Sequence, residues 1–144
     1  MTTPRFTGDA VAAGLAGATL AGIPSTVIAV VRGDDVLDGA RAAGAILLRH
    51  ETRTPVLLAA AVPVHLALSF GWAGVLAAVL PRGAEPAAGA AAGLGIAALD
   101  LLVIGRRIPA IRALPQGRQW ADHVAYGLAV GVALRLRRRA AATA

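Results

Sequence analysis

Four ionisable side chains, His65, Asp100, Asp122 and His123, interrupt otherwise apolar stretches of this 144-residue sequence. In a lipid environment such a group costs about 2.5 kcal/mol or more near the bilayer centre, so each requires a partner or a task. His65, Ser69 and Trp72 follow i, i+4, i+7 spacing and share a helical face, and Pro63 frees a backbone carbonyl a turn earlier. His123, Tyr126 and Gly127 share a second face, with Asp122 pointing elsewhere. Pro24 loosens a third stretch beside Ser25 and Thr26. Two chemistries suit this set. Carboxylates and imidazoles can hold a proton, a cation or a small polar molecule in a cavity. Pairs such as Asp100 with His123 can instead clasp one helix to another and fix its register.

Other chemistries are poorly served. Haem ligation by His65 and His123 is opposed by helical depths that differ by roughly 10 Å at the rise of an α-helix, and by the scarcity of aromatic residues. A metal needs three or four convergent ligands, and no spacing motif gathers His65, His123 and Asp100 for one. Ser25 and Ser69 lack a nucleophile-elbow pattern. Gly93-Leu94-Gly95 sits mid-stretch without a basic partner, so it is no phosphate loop. His50 and Glu51 lie in a polar connection and read as solvated. No catalytic residue, metal or cofactor is expected.

The elements that must position these side chains are four apolar spans at about 10–31, 55–80, 87–104 and 120–134. About 20 apolar residues cross the hydrocarbon core, so the first three suffice and the fourth is short. The expected architecture is an all-α integral membrane protein, a single domain over residues 1–144. Between the first two spans, residues 36–49 place Val36, Leu37, Ala40, Gly44, Leu47 and Leu48 at helical spacing, with Asp35 as N-cap and Asp38/Arg41 as an i, i+3 pair. That pattern predicts an amphipathic interfacial helix or, equally, a helix folded over the bundle end. The third connection carries Ile108, Ile111 and Leu114, broken by Pro109 and Pro115, as a short surface helix or turn. In an up-down bundle, Asp100 and His123 lie roughly 5–6 Å, Ser25 and Thr26 roughly 8 Å and His65 roughly 15 Å from one membrane face. The strongly polar groups thus collect in one half of the bilayer and the other half is packing.

Composition supports that picture. The chain is 57% hydrophobic with few aromatics, so its apolarity comes from small and aliphatic residues suited to close helix packing. Small residues recur every fourth position: Gly14, Ala18 and Gly22 in the first span, Gly89 and Gly93 in the third, Gly127 and Gly131 in the fourth. These are expected packing faces, and four short helices hold so little interior that a homo-oligomer is expected too. All 14 basic residues are Arg. They lie between and after the spans, which suits anionic headgroups rather than nucleic acid. Eight fall in the first and third connections and six elsewhere, with the C-terminal cluster opposing the majority, so orientation stays open. Cysteine is absent, which excludes disulfides and thiolate sites. The first apolar stretch exceeds a signal-peptide core, so an uncleaved first span is expected.

Gly22-Ile23-Pro24-Ser25-Thr26, Ala42-Ala43-Gly44, Pro63-Val64-His65 with Ser69 and Trp72, Ala98-Leu99-Asp100, and the run Ala121 to Gly127 together resemble a set of small, uncharacterised four-span membrane proteins of high-GC bacteria. The last piece is also similar, more loosely, to YagU-like inner-membrane proteins. The resemblance implies a multi-pass protein of the cytoplasmic membrane and carries no reaction. The residues alone favour a structural or accessory membrane component, with a small channel or transporter responsive to protons or cations as the alternative.

Overall fold

The computed structural model describes residues 3–143, with side chains from Phe6 onward; Arg5 therefore lies outside the described side chains. The described chain is all-α. Its helices are α1 (Thr3–Leu20), α2 (Ile23–Arg32), α3 (Asp38–Gly44), α4 (Thr54–Val79) and α5 (Glu85–Ala97), which runs into a π-helical segment (Ala98–Ile104) and a 3-10 turn (Gly105–Arg107). Two more follow, α6 (Pro109–Ala113) and α7 (Gln116–Ala140). Three helical stretches are long and apolar enough to cross a membrane: Phe6–Arg32, Thr54–Val79 and Glu85–Arg107. Large apolar side chains face outward along all of them, among them Val31, Val79 and Val103.

The expected first span is two helices. Pro24 has no N–H to give Leu20, and the chain turns at Ala21–Gly22 before α2 begins with Pro24 in its first turn. α2 closes on Gly33, whose φ of 71° is the left-handed conformation glycine tolerates best. α4 matches its expected bounds within a residue and absorbs Pro63 in its interior. The fourth helix is longer than the sequence pattern suggested. α7 starts directly after Pro115 and continues for 25 residues, through the arginine cluster.

α3 has seven residues, shorter than the 36–49 expected of it. Its Ala42 and Gly44 are buried, and a β-carbon on Gly44 would strike the Leu57 carbonyl of α4. It therefore folds across the start of α4, while Val36, Leu37, Leu47 and Leu48 stay exposed outside it. Leu37 is its N-cap position; Asp35 accepts the Leu37 N–H at 2.8 Å, and the expected Asp38–Arg41 pair forms together with Asp35–Arg41 at 2.7 Å.

α7 occupies the middle of the assembly. It packs on α5 along one side and on α1 and α2 along another, while α4 packs mainly on α1 and α3. The core runs along α7 as Tyr126, Val130 and Leu134, meeting Ala13 of α1, Ala73, Leu76 and Ala77 of α4, and Ile96 of α5. The α5–α7 seam is glycine on glycine: a β-carbon on Gly89 would enter the Gly127 carbonyl, one on Gly127 the Gly89 carbonyl, one on Gly93 the His123 carbonyl, and one on Gly131 the Glu85 carbonyl. Gly14 similarly admits the Phe70 ring and Gly17 the Tyr126 ring. Gly22, expected in a packing face, has nothing within 4 Å of a β-carbon; it sits at the turn between α1 and α2. Gly17 does the close packing in its place.

Candidate functional site

The polar residues of the apolar stretches come together pairwise, and α7 is a member of most pairs. Asp122 reaches α2, where its Oδ1 accepts the backbone N–H of Ser25 at 2.9 Å. Ser25 is the third residue of a helix interrupted by Pro24, so its N–H has no carbonyl in its own helix. A carboxylate from another helix thus caps α2, a service usually given by a residue of the same chain turn. Ser25 Oγ in turn donates to the Gly22 carbonyl at 3.3 Å.

One residue further, His123 faces α5. Its Nδ1 lies 2.7 Å from the Gln119 carbonyl, which can only accept, so Nδ1 carries a hydrogen. The other nitrogen, Nε2, faces Asp100 Oδ2 at 3.4 Å. A neutral imidazole bound through Nδ1 and an ionised carboxylate would present two lone pairs to each other. The contact needs one further hydrogen, on Nε2 or on the carboxyl. Asp100 lies in the π-helical segment, where Gly105 N–H returns to the Asp100 carbonyl five residues back. Such wide turns often mark functional positions. Gly105 is required there, since a β-carbon would meet both the Asp100 carbonyl and Ile111.

Tyr126 turns toward α4 and donates its hydroxyl to the Ser69 carbonyl, with both residues buried. His65 takes no part in these contacts. It is exposed, and its Nε2 pairs with the Ala18 carbonyl of α1 at 2.9 Å. The expected site therefore separates into Asp100 with His123, Asp122 with Ser25, Tyr126 with Ser69, and His65 with α1. Among the described residues no group of three or more His, Cys, Asp or Glu could hold a metal.

At the opposite end of the bundle, just beyond the expected spans 87–104 and 120–134, Glu85 and Arg138 form a buried ion pair. Glu85, 2% exposed, receives Arg138 Nη1 at 3.1 Å and the Gly83 N–H at 2.8 Å. Arg138 also donates to the Leu80 carbonyl at 3.1 Å and the Ala77 carbonyl at 2.8 Å, closing the C-terminus of α4. Beside it, Arg137 pairs with Asp9 of α1 at 3.0 Å. Arg138 was hidden among neighbouring arginines. The signal that finds it is its spacing: Tyr126, Val130, Leu134 and Arg138 lie four apart on the buried stripe of α7. At the other end of the same helix Arg118 pairs with Asp34, just beyond α2.

Between α4 and the π-helical segment lies a shallow groove of about 360 Å³, lined by Ala67, Leu68, Gly71, Trp72 and Val75 of α4 with Asp100 and Ile104 opposite. It exists because α4 and α5 scarcely touch. Comparison with protein-family models, with curated proteins and with solved structures finds no match to this chain.

Proposed function

We propose that this chain is a multi-pass protein of the cytoplasmic membrane that crosses the bilayer four times, with α7 as the fourth span and α3 at the interface. Its role is that of a structural or accessory membrane component, assembled with lipid and with further copies of itself, and not that of an enzyme or a nucleic-acid binder. The observation that carries this reading is the pairing of intraspan polar groups from helix to helix, Asp122 to Ser25, His123 to Asp100, Tyr126 to Ser69 and His65 to Ala18. Polar groups used in this way fasten helices that lack a hydrophobic force between them in lipid. The π-helical Asp100 and the hydrogen its contact with His123 demands favour a second reading, a small channel or transporter responsive to protons or cations.

Proteoliposomes carrying an internal pH dye separate the two. The structural reading predicts that an imposed pH gradient decays no faster than in protein-free vesicles. Faster decay that Asp100→Asn abolishes would establish the transport reading instead.

A further inference from the structure

We propose that the turn after the π-helical segment binds the headgroup of an anionic phospholipid through Arg106, Arg107 and Arg112. The inference rests on the membrane reading above and adds to it a lipid class and a place for that lipid. Residues 101–121 hold four arginines and no acid. Arg118 is taken by Asp34. The other three are exposed and have no acidic partner among the described residues. Their turn is built from the inside. Gly105 and Ile108 are buried, the Ile108 N–H donates to the Gly105 carbonyl at 3.0 Å, and the Arg112 N–H donates to the Ile108 carbonyl at 3.1 Å. A β-carbon on Gly105 would lie 2.7 Å from Ile111 Cγ2, so the chain folds back on itself and Arg106 and Arg112 each adjoin one of two residues in contact. Three guanidinium groups thus leave one compact turn. The acids of the neighbouring elements are engaged elsewhere, Asp38 of α3 by Arg41 and Asp100 opposite His123. Immediately before the turn, Leu102, Val103 and Ile104 are exposed. A lipid with its phosphate at the turn and its chains on those side chains matches both surfaces. Guanidinium and phosphate form charge-assisted, often bidentate hydrogen bonds. A zwitterionic headgroup brings its own cation to the arginines, and a free anion leaves the aliphatic side chains uncovered. The charge and the apolar wall together select an anionic amphiphile.

Native mass spectrometry of the full chain released from micelles tests this, with phosphatidylglycerol and phosphatidylcholine of distinct mass supplied in equal amounts. Phosphatidylglycerol adducts should exceed phosphatidylcholine adducts about fivefold or more, the scale of one arginine near an anionic headgroup layer. Arg106→Gln, Arg107→Gln and Arg112→Gln together should abolish the preference, whereas the three changes to Lys, which keep the charge, should preserve it. Arg135→Gln with Arg139→Gln, at the far end of α7, should leave it intact. Glycerol 3-phosphate, which has the anion without the chains, should not displace the lipid. Equal retention of the two lipids, a preference that survives in the glutamine variant, its loss in the lysine variant, or displacement by glycerol 3-phosphate overturns the proposal. The membrane reading stands apart from these results provided the protein resists carbonate extraction. Protein released by carbonate overturns both.

Discussion

At the scale of single residues, α7 converts polar side chains into links between helices, and each link has a distinct chemical signature. Asp122 acts on α2 as a hydrogen-bond acceptor, so acceptor geometry matters more than charge. Asp122→Ala is expected to lower stability in detergent by about 1 kcal/mol, the usual cost of a lost helix cap, whereas Asp122→Asn keeps an oxygen in place and should lose little; thermal unfolding of the purified variants compares them. Asp100 Oδ2 and His123 Nε2 face each other at 3.4 Å, so Asp100→Asn and His123→Gln should each destabilise and their double variant should fall short of the sum by about 0.5–3 kcal/mol. Full additivity would show that the two do not interact. At the surface, Glu51 takes hydrogen bonds from the Arg53 side chain and from the Arg53 and Thr52 amides, which hold its carboxyl at about 2. Because the folded value lies below the ordinary 4.5, this contribution is complete above about 4.5 and disappears as pH falls through about 2. Glu51→Gln should flatten the pH dependence of the unfolding temperature across that window, lowering the value slightly at neutral pH and leaving it unchanged at the acid end.

At the scale of elements, the glycines sort into two kinds that the sequence does not distinguish. Gly89, Gly93, Gly127 and Gly131 bring the α5 and α7 backbones together, while Gly22 and Gly71 face open space. Gly89→Ala should therefore cost about 1–3 kcal/mol through overpacking against backbone, and Gly71→Ala should be neutral or stabilise by up to about 1 kcal/mol through helix propensity; chemical unfolding in mild detergent measures both. Similar destabilisation by the two would contradict the seam. Helix type and the position of α4 were legible in the sequence, because long apolar runs and flanking prolines are local signals. Three features were not. The break at Ala21–Gly22 leaves the first-turn N–H of Ser25 unpaired, and its acceptor, Asp122, lies 97 residues from Ser25. The π-helical turn at Asp100 depends on Gly105 fitting against Ile111 of α6. The shortness of α3 depends on Gly44 seating on the Leu57 carbonyl. The Asp100–His123 pair was foreseen from depth alone, whereas His65 reaches Ala18, because depth fixes height along a helix and says nothing of which neighbour a face meets.

At the scale of the whole molecule, α7 is both the least apolar of the long helices and the one that holds the others. Its C-terminal turns bind α1 through Asp9, α5 through Glu85 and α4 through two carbonyls, and its N-terminal turns bind α2 and the π-helical segment. Polar groups that would oppose insertion of an isolated helix are satisfied once the neighbours are present. On the proposed reading, this lets α7, which is outside the three helices that qualify by length and composition, serve as a fourth span. The proposed fourth span, α7, can be tested directly. The chain contains no cysteine, so single-cysteine variants need no prior substitution. His50→Cys places a thiol in the exposed connection between α3 and α4, and Thr143→Cys places one just beyond the end of α7. Labelling with a membrane-impermeant maleimide in sealed vesicles of known orientation should modify the two from opposite faces. Labelling of both from the same face would show that α7 stays on one side, and would contradict the account.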